Sequence, residues 1–238
     1  MRYAILADIH ANLEALEAVL QDIEARGGVE ELWCLGDTVG YGPQPSECLN
    51  KVKAEKHVAI AGNHDRAAIG RLDLSTFNPQ AAAAARWTAT QLSQEDKEYL
   101  SALPLSLEIA DFTLVHGSPR EPVWEYLLTP EEARDNFNYF STPYCLIGHS
   151  HIPLVFTNEG KVEKLPAHLS LGRERLIINP GGVGQPRDGN PLASYAIYDA
   201  EKKAINHFRI PYDIQATQTK MIERGLPSSL VLRLSYGY

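Results

Sequence analysis

Seven side chains of the kinds that bind transition metals follow five short apolar segments in this sequence. The oxygen donors are Asp8, Asp37 and Asn63, and the imidazoles are His10, His116, His149 and His151. Short apolar runs that end at a glycine or a polar residue are typical of buried strands. In open α/β sheets, ligands bind beyond the carboxyl ends of the strands. The pattern therefore predicts that these side chains meet at one edge of the fold and form one site.

The donor set suits a pair of metal ions. Two divalent ions held about 3.5–4 Å apart can clamp a phosphoryl group and supply hydroxide at neutral pH. Mixed nitrogen and oxygen ligands favour Mn, Fe or Zn over Mg alone. Asp8 and His10 are alternate residues, so both side chains can point the same way if the strand stays extended through them. His149 and His151 have the same spacing and carry the same prediction.

Each motif has an ordinary structural explanation when it is taken alone. Asp-x-His and His-x-His pairs occur by chance, and a single histidine such as His116 is often a satisfied core or loop residue. Gly36-Asp37 is also a turn with a helix cap, and Asn63 is a residue that tolerates positive φ in turns. Five such motifs in order, each closing a strand, favour the metal site over this set of coincidences.

Strand and helix patterns alternate in the first half of the chain, as in a sheet with helices packed on it. Strands are predicted at 4–7, 32–35, 58–60, 112–115 and 145–147 before the motifs, and later at 154–157, 176–178, 194–198 and 204–210. Helices are predicted from 13 to the glycines at 27 and 28, from near 46, at 80–91, at 93–102, from 129, and at 213–224. No linker separates two domains, so residues 1–238 are predicted to form a single domain with a helical insertion at about 67–102.

The composition argues against several classes of function. The net charge of -8 at pH 7 disfavours binding to extended nucleic acid, which needs a basic surface. No apolar stretch approaches the roughly 18 residues of a membrane span, and the N-terminus lacks a secretory pattern. The three cysteines have neither ligand spacing nor the pattern of a disulfide framework. We expect a cytoplasmic protein, and the sequence predicts no oligomeric state.

From Asp8 to His151 the motifs D-x-H, G-D, G-N-H-D, a histidine beside glycine, and G-H-x-H resemble those of the calcineurin-like metallophosphoesterase superfamily. The resemblance implies an α/β fold, a four-layer α/β/β/α sandwich with two mixed β-sheets, in which the late strands supply much of the second sheet. It also implies that His64 donates a proton or stabilises charge at the leaving oxygen, and that Asp65 orients His64. The implied ligands are Asp8, His10, Asp37 and His151 for one metal, and Asp37, Asn63, His116 and His149 for the other, with Asp37 as the bridge.

The same resemblance implies a reaction and a substrate class. A metal-bridging hydroxide attacks phosphorus in line, with Mn favoured among the candidate ions. The loop at 38–43 lacks the Asp-Arg pair of the superfamily's protein phosphatases, and G-N-H-D with the glycine-rich stretch at 179–187 is more similar to small bacterial phosphodiesterases. Some of these hydrolyse diadenosine tetraphosphate, so a small phosphodiester or dinucleoside polyphosphate is the expected substrate. The alternatives are a phosphomonoesterase or protein phosphatase, and a non-catalytic interaction module on the same fold.

Three further residues are candidates for contact with a small phosphorylated substrate. Arg187 ends the glycine-rich stretch, whose backbone N–H groups can approach a phosphate, although a tight turn with a surface arginine explains this stretch as well. Arg66 is a weaker candidate, because it can simply pair with a carboxylate on a helix. Tyr41 is expected to lie across the pocket from the helical insertion at 67–102, if that insertion is a cap and not ordinary helical packing.

Overall fold

Twelve β-strands and eight α-helices make up the fold in the computed structural model, which describes residues 1–238. The strands are β1 (Arg2–Leu6), β2 (Glu31–Cys34), β3 (His57–Ala59), β4 (Ser106–Ile109), β5 (Phe112–Val115), β6 (Tyr144–Leu146), β7 (Pro153–Thr157), β8 (Val162–Lys164), β9 (His168–Ser170), β10 (Leu176–Pro180), β11 (Ala193–Asp199) and β12 (Ala204–Ile210). The helices are α1 (Leu13–Ala25), α2 (Pro45–Ala54), α3 (Asn63–Ala68), α4 (Pro79–Gln91), α5 (Gln94–Ala102), α6 (Pro130–Asn136), α7 (Ile214–Glu223) and α8 (Ser228–Arg233), with a 3₁₀ turn at Leu74–Thr76.

The strands form two six-stranded sheets, each with parallel and antiparallel pairs. The first sheet has the order β3-β2-β1-β11-β12-β9, and the second has the order β4-β5-β6-β10-β7-β8. Strands β1, β2 and β3 run parallel in the first sheet, and β5, β6 and β10 run parallel in the second. The five strands that precede the metal-binding motifs are therefore divided between two sheets, three in one and two in the other. The site forms where two sheet edges meet, not at one edge of a single sheet.

The sheets pack face to face around an apolar core. Trp33 of the first sheet meets Phe112 of the second edge to face, with ring centroids 5.4 Å apart. Ile5, Leu146 and Ile178 belong to the same buried cluster. Helices α1 and α2 cover the outer face of the first sheet, and α6 covers the outer face of the second. The predicted four-layer α/β/β/α sandwich with two mixed sheets is confirmed.

Local signals at helix ends account for most of the predicted helices. The Asn78 side chain accepts a hydrogen bond from the third residue of α4, and proline follows it at the first helical position. Ser93 with Asp96, and Thr129 with Glu132, form reciprocal capping boxes at the starts of α5 and α6. Residues 67–102 contain the 3₁₀ turn and the helices α4 and α5.

The late strands lie at the predicted places and are shared between the two sheets. As expected, they supply much of the second sheet, through β7, β8 and β10, while β9, β11 and β12 pair in the first sheet. The short elements β4, β8, β9, α3 and α8 were not predicted. Each has only three to six residues, which is too short for a hydrophobic period to be visible.

No helix combines the length and the apolar character that crossing a membrane would require. The three cysteines are free and buried. Cys34 and Cys145 lie in β2 and β6, as predicted. Burial raises the pKa of the Cys34 thiol to about 12, so this side chain remains protonated and packs as a small apolar residue.

We predict that Trp33→Ala lowers the free energy of unfolding by about 3–5 kcal/mol, because the ring is 1% exposed and its loss leaves a cavity between the sheets. The measurement is urea unfolding followed by circular dichroism. Leu232→Ala is the control, since this side chain is 61% exposed and its truncation should change stability by less than about 0.5 kcal/mol. Equal losses for the two variants would contradict the assignment of the core.

Candidate metal centre

The loops that follow the parallel strands bring all seven predicted ligands together. One group of donors comprises Asp8, His10 and His151, and a second comprises Asp37, His116 and His149; within each group the ligand atoms lie within 4.8 Å of one another. All six side chains are buried. Asn63 joins the second group, with its Oδ1 3.1 Å from Nε2 of His116. The groups adjoin, because Oδ2 of Asp37 lies 3.6 Å from Nε2 of His10.

The backbone at five of these ligands is in the left-handed region, which is uncommon for residues other than glycine. The values of φ are 54° at Asp8, 48° at His10, 53° at Asp37, 65° at His149 and 58° at His151. The prediction that Asp8 and His10 converge along an extended strand is therefore wrong, and so is the same prediction for His149 and His151. Strand β1 ends at Leu6 and β6 ends at Leu146, and tight turns then turn both side chains of each pair toward the site. Conformations of this kind cost free energy and cluster at functional sites.

Two glycines allow these turns to pack against each other. A Cβ atom on Gly62 would lie 2.0 Å from Oδ1 of Asp37, and one on Gly184 would lie 1.8 Å from the carbonyl oxygen of Ile9. Gly184 belongs to the glycine-rich stretch that was expected to offer N–H groups to a phosphate. Instead the amides of Val183 and Gly184 donate to the carbonyls of Ala7 and Asp8. These two amides hold the Asp8 turn in place and are not free for a ligand.

Backbone carbonyls fix the tautomer of all four ligand histidines. The Nδ1 atoms of His10, His116 and His151 face the carbonyls of Val39, Leu35 and Gln185, and Nε2 of His149 faces the carbonyl of Trp124. A carbonyl only accepts, so each of these nitrogens carries the proton. The other nitrogen of a neutral ring then presents a lone pair to the site, which is the arrangement typical of metal-binding imidazoles.

The inward-facing atoms fit a cation better than they fit one another. Nε2 of His10 and Nε2 of His151 lie only 3.1 Å apart, although each ring already donates from its other nitrogen. Oδ2 of Asp37 is buried without a hydrogen-bond donor. Two lone pairs in contact and an unpaired carboxylate oxygen are unfavourable in a buried site unless a positive charge lies between them. The chemistry of this donor set is therefore that of a metal centre.

The electrostatics of the buried groups are consistent with this assignment. Burial raises the pKa of Asp8 to about 7 and lowers the pKa of His64 to about 4 and that of His149 to about 3. Burial also opposes the charge on His116, but the Asp37 carboxylate outweighs it and raises the pKa of His116 to about 9. The imidazoles of His116 and His64 hold the pKa of Asp37 well below its ordinary range despite its burial. Asp37 thus requires a positive partner, and a divalent ion is a stronger one than a protonated imidazole.

The expected contact between Asp65 and His64 is absent. The Asp65 carboxylate accepts hydrogen bonds from the backbone amides of Asp37, Val39 and Gly62, at 2.8 to 3.1 Å, and these use both of its oxygens. Nδ1 of His64 is buried without a partner. The contact is absent because α3 begins at Asn63, so that Asp65 is a capping residue whose side chain turns back toward the loop before the helix. Asp65 positions the Asp37 loop, not the His64 ring.

Packing holds the His64 ring instead. Its centroid lies 4.2 Å from that of Tyr41 and 5.3 Å from that of Phe77, with the Phe77 ring nearly perpendicular to it. A Cβ atom on Gly40 would meet Nδ1 of His64 at 2.7 Å, so the ring also lies directly against the Gly40 backbone. His64 is therefore fixed in orientation without a polar partner, and it lines the cavity described next.

A cavity of about 240 Å³ adjoins the metal-binding groups and reaches Asp37, Asn63, His149 and His151. Its other lining residues are Tyr41, His64, Thr76, Phe77, Asn78, Ala81, Trp124, Tyr126 and Arg187. The segment Thr76–Ala81 of the predicted insertion therefore contributes to the cavity wall. Trp124 and Tyr126 were not predicted, because the loop between β5 and α6 has no periodicity and no recognisable motif.

The three predicted substrate contacts have different positions. Arg187 lines the cavity, and its only side-chain hydrogen bond runs from Nη2 to Oε1 of Gln185 at 3.0 Å, while its buried Nε has no acceptor. Tyr41 also lines the cavity, and it belongs to one apolar cluster with Ala81 of α4. Arg66 lies outside the cavity lining, and its Nε is buried without an acceptor.

Comparison with known proteins identifies the family. A family model described as the calcineurin-like phosphoesterase superfamily domain matches residues 1–203. The chain belongs to this superfamily. Its members depend on metal ions, and the two donor groups described above are the candidate metal-binding sites in this calcineurin-like phosphoesterase.

Two relatives match this calcineurin-like phosphoesterase over nearly their whole length. The crystal structure of a metallophosphoesterase from Sphaerobacter thermophilus has 46% sequence identity and a TM-score of 0.91, covering 100% of this chain and 99% of that one. An uncharacterized protein from Methanocaldococcus jannaschii is 40% identical over 98% of this chain and 97% of its own length. A symmetrical bis(5'-nucleosyl)-tetraphosphatase from Actinobacillus pleuropneumoniae is 38% identical, but only over 26% of this chain and 23% of its own.

We predict that the protein binds two Mn²⁺ ions per chain, one for each donor group. Asp8→Asn should lower this number to about one, whereas Asp37→Asn should weaken both sites, because its carboxylate lies 3.2 Å from Nε2 of His116 and 3.6 Å from Nε2 of His10. Equilibrium dialysis followed by elemental analysis measures the number. Asp111→Asn makes the same chemical change at an exposed position and should leave it unaltered. If both site variants retain the same single ion, Asp37 does not serve two metals.

Proposed function

We propose that this protein is a two-metal-dependent phosphoesterase that hydrolyses a small phosphodiester or a dinucleoside polyphosphate. The observation that carries the proposal is the position of Asp37, whose unpaired Oδ2 lies between two groups of imidazoles at the base of the cavity. The same cavity is lined by His64 and by the guanidinium of Arg187. Metal donors, an imidazole that can donate a hydrogen bond and an anion-binding group therefore face one space.

Two sets of residues would hold the metal ions. Asp8, His10 and His151 would bind one ion, Asn63, His116 and His149 would bind the other, and Asp37 would serve both. When bound, the ions supply Lewis acidity toward the phosphoryl oxygens and a nucleophilic water at neutral pH. Mn, Fe and Zn all suit this donor set, and we favour Mn for activity.

His64 acts on the leaving group in this proposal. The ring is held by Tyr41, Phe77 and the backbone of Gly40, and it needs no rearrangement to present a nitrogen to the cavity. Because its lowered pKa keeps the ring neutral at pH 7, His64 donates an N–H hydrogen bond from this position to the oxygen that leaves phosphorus. Asp65 contributes indirectly, by fixing the amides of the loop that carries Asp37.

Arg187 binds the non-reacting phosphoryl oxygens. Its guanidinium forms no salt bridge, and its contact with Gln185 leaves further N–H groups free to donate. The guanidinium carbon lies 5.7 Å from the centre of the Tyr41 ring, which supports the side chain along the cavity wall. An arginine in this state can donate two parallel hydrogen bonds to a phosphate.

The volume of the cavity and the similarity to known proteins both support a small substrate. The cavity of about 240 Å³ is smaller than the roughly 300–1,000 Å³ of a pocket that buries a drug-sized ligand. The partial match to a bis(5'-nucleosyl)-tetraphosphatase supports a dinucleoside polyphosphate as one candidate. The competing candidates are a phosphomonoesterase, a protein phosphatase and a non-catalytic binding module. Rates on diesters and monoesters distinguish them.

We predict that the Mn²⁺-loaded protein hydrolyses bis-(p-nitrophenyl) phosphate or diadenosine tetraphosphate faster than p-nitrophenyl phosphate or a phosphopeptide. The reason is that the reacting phosphoryl group of a diester or of a polyphosphate chain carries one negative charge, which matches the single cationic side chain of the cavity, Arg187, whereas the terminal phosphate of a monoester carries two. Initial rates with the four substrates at equal concentration provide the measurement. A clear preference for either monoester would overturn the substrate class, and no activity on any of the four would favour a binding module.

We predict that His64→Ala lowers kcat by about 100- to 10,000-fold without loss of metal, because His64 is not among the metal donors. The measurement combines kinetics on the best substrate with elemental analysis of the purified variant. His57→Ala is a matched control, since this histidine lies in β3 and hydrogen-bonds to Tyr99 outside the cavity. Undiminished activity of the His64 variant would show that the assigned role is wrong.

A further inference from the structure

Three aromatic side chains from two separate segments form one wall of the cavity. Phe77 follows the 3₁₀ turn of the helical insertion, and Trp124 and Tyr126 lie in the loop between β5 and α6. The rings of Phe77 and Trp124 meet edge to face, with centroids 4.8 Å apart. We refer to Phe77, Trp124 and Tyr126 as the aromatic wall.

Two of the three side chains of the aromatic wall lie outside the apolar clusters of the core. Tyr126 is 43% exposed, and neither Trp124 nor Tyr126 belongs to any of the apolar core clusters. Exposed aromatic side chains that line a concave site are typical of ligand contact. Tyr126 also covers a proposed metal ligand, since its ring stacks on His149 at a centroid distance of 3.9 Å and an interplanar angle of 23°.

The wall lies next to the groups proposed to carry out the reaction. Phe77 contacts the ring of His64, which we assign to the leaving group, and Tyr126 contacts His149. A phosphoryl group at the metal centre would therefore have aromatic rings beside its leaving-group side. Thr76 and Asn78 flank Phe77 in the chain and also line the cavity, so polar side chains stand beside the aromatic surface.

We propose that the aromatic wall stacks on the nucleobase of the nucleotide unit that carries the reacting phosphoryl group. This inference rests on the proposed function and names the substrate class more narrowly, as a nucleotide derivative. A flat heterocycle offers π-surface to the wall and polar edges to Thr76 and Asn78, which a lipid or sugar phosphate does not. Because the cavity holds only about 240 Å³, it has room for at most one nucleotide unit, and the second half of a dinucleoside polyphosphate lies outside it.

The test compares two phosphates that differ only by the base. Calorimetric titration of the Mn²⁺-loaded protein with AMP and with ribose 5-phosphate gives two dissociation constants. Stacking of one base on an aromatic platform predicts that AMP binds about 5- to 150-fold more tightly. Inorganic phosphate, assayed after each titration, verifies that the ligands remain intact. Phenyl phosphate is the third ligand, and binding as tight as that of AMP would replace the nucleobase by a simple aryl group and overturn the assignment.

Tyr126→Leu and Phe77→Leu should each lower the preference for AMP over ribose 5-phosphate by at least about threefold. Tyr139→Leu is the matched control, because this tyrosine is 56% exposed and lies outside the cavity. Its preference should equal that of the wild type. The Mn²⁺ content of each variant is measured in parallel, so that a loss of metal through the Tyr126–His149 stack is separated from a loss of base binding.

The outcomes distinguish this inference from the proposed function. The inference is overturned if the wild-type protein binds AMP and ribose 5-phosphate about equally tightly. It is also overturned if both wall variants keep the full preference for AMP. Either result counts even if phosphodiesters are hydrolysed. A preference for AMP that depends on the wall supports it even if no phosphoester is hydrolysed, and in that case the proposed function fails alone.

Discussion

The metal centre depends on the different surroundings that the fold gives to the two oxygens of the Asp37 carboxylate. Oδ1 accepts the backbone amide of His64 at 2.8 Å, and the amide of Asp37 itself donates to Asp65 at 2.8 Å. These bonds hold the carboxylate between the second and third strand ends and leave Oδ2 without a donor. Because that oxygen is buried beside His10 and His116, it needs a positive charge next to it, and a divalent ion would supply that charge more strongly than a protonated His116 does. The hydrogen bonds of the loops thus create the electrostatic requirement that a metal pair meets.

The two-sheet sandwich brings the ligands of the metal centre together. The first sheet carries Asp8, His10, Asp37 and Asn63 on the loops after β1, β2 and β3, whereas the second carries His116, His149 and His151 after β5 and β6. Neither sheet alone offers a complete set for either ion. The distance between the two halves is set by the core around Trp33 and Phe112, and by the amide of His149, which donates to the Asp8 carboxylate. Stability of the inter-sheet core and assembly of the metal centre are therefore coupled.

The sequence predicts well what local chemistry determines. The strands before the motifs, the glycine-ended α1 and the caps at Asn78, Ser93 and Thr129 were predicted because each depends on a few neighbouring residues. The motifs also named the seven side chains that meet. The predictions that failed concern residues whose hydrogen-bond partners are distant in the sequence. The left-handed turns at Asp8 and His149 are joined by a hydrogen bond between residues 141 positions apart, and the Asp65 carboxylate accepts from an amide of another loop. Trp124 and Tyr126 lie in a loop without periodicity, so no local signal marks them.

The charge distribution explains how an acidic protein can take an anionic substrate. The net charge of -8 repels polyanions at long range, but salt screens that field beyond about 8 Å. Within the cavity the only carboxylate is Asp37 and the only fixed cation is Arg187, so two divalent ions would make the local field strongly positive. Attraction is then confined to a space large enough for one phosphoryl group and its immediate substituents. An extended nucleic acid would bring many phosphates against the acidic surface around the cavity, and repulsion there would oppose its binding. A small phosphorylated molecule would place its charge only beside the metal ions.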